Sequence, residues 1–265
     1  MYNTIRADIY RLFRGKMLYA AFILMLVVTA MPIVFVSAAY ALFGGDPEIA
    51  QMLAAVLPGF NGSTAPFVTM TGASSLILYF AMIIVAVSGT EFTAGTAKNS
   101  ITCGTSRVEF YFAKLILSVS LGVILYVLCI LFSILLGTAL HGFGAALDAT
   151  YVLKLLRPLL AQTFMMIAVM CVGTGLSFIF KKGVGFVGMY LSLFWIVPVV
   201  LVFIGAITEH YELSAQYSFL SNLTGLALID TLPTKDIIRA FCVGGVYMVG
   251  GTALGLFVFK KSEVK

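Results

Sequence analysis

The 265 residues are 61% hydrophobic and 10% charged, with a mean hydropathy of +1.08 and a net charge of +5. Such a composition excludes an average soluble domain. The basic residues are scattered through short segments and form no binding face, so membrane topology explains them better than a nucleic-acid partner does.

Residues 2–16 precede the first apolar run. At about 100° per residue Tyr2, Ile5, Ile9, Leu12 and Phe13 share one face, with Asn3, Arg11 and Arg14 opposite, the pattern of a helix lying in the membrane interface. A plain basic flank that orients the first span is the simpler, compatible alternative. Residues 17–42 are long enough to cross a bilayer. Ala39 and Ala41 match a signal-peptide cleavage pattern, but this apolar core is longer than the usual stretch of about 7–15 residues, so a permanent anchor is expected, loosened or kinked midway at Pro32. Residues 44–71 contain Asp46, Glu48 and three prolines but no Lys or Arg, and are expected outside, with a short interfacial helix at 49–57. Residues 72–90 form the second span.

The polar stretch 91–114, EFTAGTAKNSITCGTSRVEFYFAK, separates two long apolar runs. Its small and polar residues 92–103, with Gly95 near the start and Gly104 after the end, predict a short helix of about three turns stopped by a glycine. Ser106 and Glu109 have the spacing of a capping box, so a new helix is expected to begin at Arg107 and run through Lys114 into the next span. A short helix joined by a tight turn to a membrane helix projects from the bundle. The alternative is an ordinary solvated loop whose Lys98, Arg107 and Lys114 merely keep it inside.

Residues 115–140 form the third span and 141–157 an outer segment with a turn or two of helix at 151–156. Pro158 is placed at the opening of the fourth span, 159–180, because proline is tolerated in a first turn. Lys181 and Lys182 mark a very short inner turn before the fifth span, 184–207, which carries Pro198. Residues 208–236 are too apolar for a free loop and too interrupted to span, so 215–229 are expected as helical hairpins re-entering the outer leaflet. The last span is 237–259. The expected architecture is therefore a single all-α membrane domain over residues 1–265 with six spans. Arg6, Arg11, Arg14, Lys16, Lys98, Arg107, Lys114, Lys181, Lys182, Lys260, Lys261 and Lys265 fall on inner segments, which is 12 of the 16 basic residues and places both termini in the cytosol.

Chemistry-bearing motifs are scarce. Gly183, Gly185 and Gly188 satisfy G-x-G-x-x-G but open an apolar span instead of following a strand, so close helix packing is expected in place of dinucleotide binding. Gly251 and Gly255 make a G-x-x-x-G, a helix contact within the chain or between subunits. The four cysteines, Cys103, Cys129, Cys171 and Cys242, show no paired spacing, and His141 and His210 are too few and too far apart for a metal motif, so neither a disulfide framework nor a metal site is expected. The spans as drawn hold essentially no ionisable residue, which argues against an intramembrane enzyme and against a proton- or sodium-coupled carrier. No P-loop sequence occurs, so no cofactor is expected on this chain and any ATP hydrolysis belongs to another one.

Glu91, Gly95, Thr96 and Lys98, followed by Ser106, Arg107, Tyr111 and Lys114, resemble the E-x-x-x-G-T-x-K…S-R…K run of small bacterial members of the ABC type-2 permease family. The architecture resembles that family over nearly the whole chain. The resemblance implies the membrane subunit of an ATP-driven exporter in the bacterial cytoplasmic membrane, dimeric with a second copy or a sister permease, on two copies of a separate cytosolic ATPase that binds ATP and Mg. It implies further that 92–103 is a coupling helix, that Glu91, Gly95, Thr96, Lys98 and Arg107 form the ATPase-docking element, and that Lys98 and Arg107 contact the partner or lipid phosphates. The implied cargo is an amphipathic peptide, including antimicrobial peptides, or otherwise a drug or lipid. From other classes, a non-transporting membrane scaffold or immunity protein is the runner-up, and an enzyme such as an intramembrane protease is third.

Overall fold

The computed structural model describes residues 2–43, 61–93, 95–207 and 216–262, and these are helical with no strand among them. α1 (Tyr2–Arg14) is followed after Gly15 by α2 (Lys16–Phe43). α3 (Ala65–Thr71) breaks at Gly72 before α4 (Ala73–Ile84), which continues through a π-helical turn at Val85–Gly89 into the short α5 (Thr90–Thr93). α6 (Thr96–Thr102) and α7 (Arg107–His141) come next, then α8 (Ala149–Phe180) and α9 (Gly183–Leu191). A second π-helical turn, Ser192–Ile196, leads into α10 (Val197–Ile207). It ends two residues before Pro198, whose ring cannot accommodate ordinary α-helical bonding to the preceding turn. α11 (Phe219–Gly225), a 3-10 turn at Leu226–Thr231 and α12 (Thr234–Lys261) complete the chain.

Six helical stretches among the described residues are long and apolar enough to cross a membrane: Lys16–Ala39, Ala73–Phe92, Arg107–His141, Ala149–Phe180, Gly183–Ile207 and Thr234–Lys261. One differs from the sequence expectation. α8 starts at Ala149 and runs through a buried Pro158, so the expected turn or two at 151–156 is the first part of a 32-residue helix and Pro158 lies inside it. α7 runs from Arg107 through Lys114 into the third span as expected and is 35 residues long, about 52 Å at ~1.5 Å per residue, more than a ~30 Å hydrocarbon core requires. The expected interfacial helix at 49–57 lies outside the described residues, as do His210 and the start of the expected hairpins.

α8 is the most buried span and the centre of the bundle, packed against α7, α12 and α4. α12 comes close to it because glycines face each other: a Cβ on Gly175 would collide with the Gly251 carbonyl, and one on Gly255 would meet the Gly175 backbone and the Tyr111 hydroxyl. The G-x-x-x-G of the last span is thus turned inward in this chain. Gly183 and Gly188 differ, since an added Cβ meets nothing at either and at Gly185 only Phe180 of the preceding helix end. The close packing expected of these three glycines is not made among the described residues.

The bundle has two distinct ends. At one, Gly62 N–H donates to the Gly142 carbonyl and Ser63 N–H to the Phe143 carbonyl, both at 3.0 Å, tying the start of α3 to the end of α7. At the other lie α1, the 91–106 loop, Lys181, Lys182 and the C-terminal end of α12. Below the first end sits a polar node absent from the sequence reading. Gln162, fully buried, accepts from the Tyr126 hydroxyl at 2.5 Å and donates to the carbonyls of Met70 and Leu223 at 2.9 and 2.8 Å. It satisfies backbone near the break between α3 and α4 and within α11, and so docks the short α11 against the spans.

Overpacking the glycine contact is expected to cost about 1–3 kcal/mol in Gly175→Val, whereas Gly188→Ala is expected to be neutral or to stabilise by up to about 1 kcal/mol through helix propensity. Thermal unfolding of the two purified variants in detergent checks this contrast.

Candidate functional site

The sequence around residue 91 is shaped by two glycines and a serine. Gly95 has φ +70°, in the left-handed region, and precedes α6; Gly104, at φ +97°, ends it. Gly104 N–H bonds to the Ile101 carbonyl at 3.1 Å and Thr105 N–H to the Ser100 carbonyl at 3.3 Å, the paired bonds of a Schellman stop. Two residues on, Ser106 Oγ accepts from Glu109 N–H at 3.1 Å and starts α7 at Arg107, at the expected place. The three-turn helix expected over 92–103 is shorter in the structure: α6 has seven residues, because left-handed Gly95 separates it from α5. Ala97 is buried and Ile101 half-buried, while Lys98, Asn99, Thr102 and Cys103 are exposed. α6 is a two-turn knuckle with one anchored edge and one presented edge. The Thr96 hydroxyl lies 3.5 Å from the Glu91 carbonyl and links the knuckle to its root.

At that root is a buried ionic cluster. Lys114 Nζ lies 2.6 Å from both Asp8 Oδ2 and Glu91 Oε1, and Arg11 Nη1 is 2.6 Å from the same Glu91 oxygen. Lys114 has no exposed surface, and Asp8 and Glu91 are 4% and 6% exposed, so three charges are withdrawn from water and must satisfy one another. The Phe110 ring closes another side of the ammonium, 5.2 Å from Nζ. Arg11 also donates from Nη2 to the Val87 carbonyl, inside the π-helical turn, at 2.9 Å. That turn sets the geometry, because one inserted residue rotates the rest of the helix by about 100°. Ser88, within it, pairs with Ser177 of α8 at 2.8 Å; Glu91, after it, faces Arg11 and Lys114.

Asp8 is subject to opposing electrostatic influences. Burial raises its carboxyl above the ordinary value, the Lys114 ammonium lowers it, and the nearby Glu91 carboxylate raises it again. A carboxyl raised on folding gives up stability as pH climbs from its ordinary value through the folded one, because the unfolded chain releases the proton first.

The opposite side of the root is aromatic. Phe92 meets Phe178 of α8 and Phe259 of α12 edge-on, with centroids 5.1 and 6.3 Å apart, and Phe110 and Tyr111 of α7 complete the group. Arg107 Nη1 reaches the carbonyls of Phe259, Lys260 and Ser262 at 3.3, 2.7 and 2.8 Å and caps the end of α12. Glu91 and Phe92 therefore join α1, α7, α8 and α12 to the knuckle.

Arg107, expected to contact a partner or lipid phosphates, turns its Nη1 to α12 carbonyls, and Lys98 is exposed on the knuckle. Lys114, just before the third span as drawn from residue 115, is wholly buried within α7, since the apolar face of that helix already begins at Phe110. The cluster sits at the loop end of the bundle and not at its middle. On α1 the inward face carries Asp8, Leu12 and partly Arg11, while Ile9, Tyr10 and Phe13 point away from the bundle. No family model, curated protein or solved structure matches the chain.

Lys114→Met is expected to destabilise by about 3–5 kcal/mol, because it strands two buried carboxylates. Asp8→Asn/Glu91→Gln/Lys114→Met is expected to recover most of that, and denaturant unfolding in detergent compares the two. In the same assay the parent should lose stability from about pH 4 upward relative to Asp8→Asn, in which the raised carboxyl is gone.

Proposed function

We propose that the chain is the transmembrane subunit of an ATP-driven exporter and that α6 is the helix on which a separate cytosolic ATPase docks. The observation that carries this reading is the construction of the loop. A two-turn helix is held out between a left-handed glycine and a Schellman stop, its outer edge exposed, and its root is bonded to α1, α7, α8 and α12. A partner that moves α6 therefore pulls on several spans at once through Glu91 and Phe92. The residues proposed to meet the ATPase are Thr96, Lys98, Asn99 and Thr102. Gly95 shapes the entry, Glu91 transmits, and Arg107 supports the end of α12.

The remaining parts accord with the same reading. ATP and Mg act on the partner, and this chain contributes movement and a path. α1, with Ile9, Tyr10 and Phe13 outward, lies in the cytosolic interface, and the basic residues gathered at this end favour the cytosol for both termini. α11 and the following 3-10 turn, docked through Gln162, are the re-entrant element. The cargo is proposed to be amphipathic, in the first place a peptide, and a second copy or a sister chain completes the permease. A scaffold that binds the ATPase without transport is the competing reading, and cargo movement separates the two.

Cys103, exposed at the end of α6, is expected to react with a membrane-impermeant thiol reagent in inside-out vesicles and not in intact cells, with the signal lost in Cys103→Ser. Gly95→Pro, which cannot adopt the left-handed conformation, and Lys98→Glu are each expected to reduce ATPase co-purification and cargo export, while Lys235→Glu at the far end leaves both intact. Normal assembly and export in both loop variants refutes the docking role. Assembly without any cargo movement in the parent favours the scaffold.

A further inference from the structure

Beside the loop end lies an apolar cleft of about 580 Å³ that the proposed docking role does not use. Met17 of α2, Tyr79 and Met82 of α4, Val85 of the π-helical turn, and Val184 and Gly188 of α9 line it. It is open because Gly183 and Gly188 leave their side-chain space empty. Two lysines neighbour its lining in the chain. Lys16, exposed, immediately precedes Met17; Lys182, also exposed, immediately precedes Gly183, which lines the cleft as well. Lys181 adopts φ +52°, in the region where glycine is favoured, to make the tight reversal that sets Lys182 there.

We propose that this cleft binds one anionic glycerophospholipid, with an acyl chain along the apolar wall and the headgroup phosphate between Lys16 and Lys182. Apolar walls surrounded by lipid tails supply fit and no hydrophobic preference, so selectivity must come from the two lysines. A second copy of the chain is the other candidate occupant, and charge argues against it. In a two-fold contact centred on the cleft the same patch meets itself, so Lys16 and Lys182 would face their own like charges at the same membrane end. A phosphate neutralises them. The proposal is independent of whether the chain transports anything.

The test uses the full-length protein in detergent, titrated with phosphatidylglycerol or phosphatidylcholine of identical chains and followed by native mass spectrometry. The parent is expected to retain the anionic lipid roughly ten- to thirty-fold more tightly, the factor expected from about 1 kcal/mol per lysine. Lys16→Gln/Lys182→Gln should bring that ratio close to one. Gly188→Leu, which puts a side chain into the cleft from a position where a Cβ meets no neighbour, should weaken both lipids together. Inorganic phosphate at matched ionic strength should displace neither lipid; displacement would assign the lysines to a free anion and overturn the proposal. Equal retention of the two lipids by the parent, or an unchanged preference in the double variant, also overturns it. So does efficient cross-linking of Val184→Cys to a second copy in a Cys103→Ser/Cys242→Ser background, since that places another chain in the cleft.

Discussion

An ammonium group with no surface in water is tolerable only where its counter-charges arrive with it. Lys114 meets that condition through Asp8 from α1 and Glu91 from the end of the second span, both at 2.6 Å, and the remaining charge of the cluster, Arg11, is only half-buried. The desolvation of such a set nearly offsets its mutual attraction, so its net contribution to stability is small while the cost of breaking it is large. Its main effect is on arrangement. α1 cannot leave the bundle, and the second span cannot rotate, without stranding a buried charge.

Around that constraint the loop end has a consistent construction. The π-helical turn at Val85–Gly89 aims Glu91 at the cluster and offers the Val87 carbonyl to Arg11. Phe92, one residue later, enters the aromatic group formed with Phe178 and Phe259. The knuckle α6 is then set between two glycines with positive φ, and α7 restarts on the Ser106 cap and returns Lys114 to the cluster two turns on. Ionic bonds on one side and ring contacts on the other give the exposed helix a firm base, which is the mechanical requirement for the proposed transmission from a soluble partner to the spans.

Much of this is legible in the chain. The capping spacing of Ser106 and Glu109 locates the start of α7, Gly95 and Gly104 bracket the short helix, and apolar run lengths mark six spans. The rest is hidden for physical reasons. A π-helical turn leaves no compositional trace, so the direction of Glu91 is not visible in the sequence. Lys114 reads as a basic flank when the span is drawn from the first long apolar run; drawn from the cap instead, Phe110, Lys114 and Leu117 share a stripe, and all three are buried. Asp8 is the only acidic residue in the first 43, a signal that helical faces drawn from apolar residues alone pass over. Arg107 and Gln162 bind backbone carbonyls remote in sequence, which no local pattern encodes.

The central claim is that the ionic cluster holds the root of the projecting helix. Its most direct test is hydrogen exchange on Arg11→Gln, which removes the half-buried cation that bonds both Glu91 and the Val87 carbonyl while leaving Lys114 paired. The account predicts faster exchange at the amides of α1 and of residues 96–105 together, with the far-end turn at 61–64 unchanged. Unchanged exchange across 96–105, or a uniform rise over the whole bundle, would contradict it.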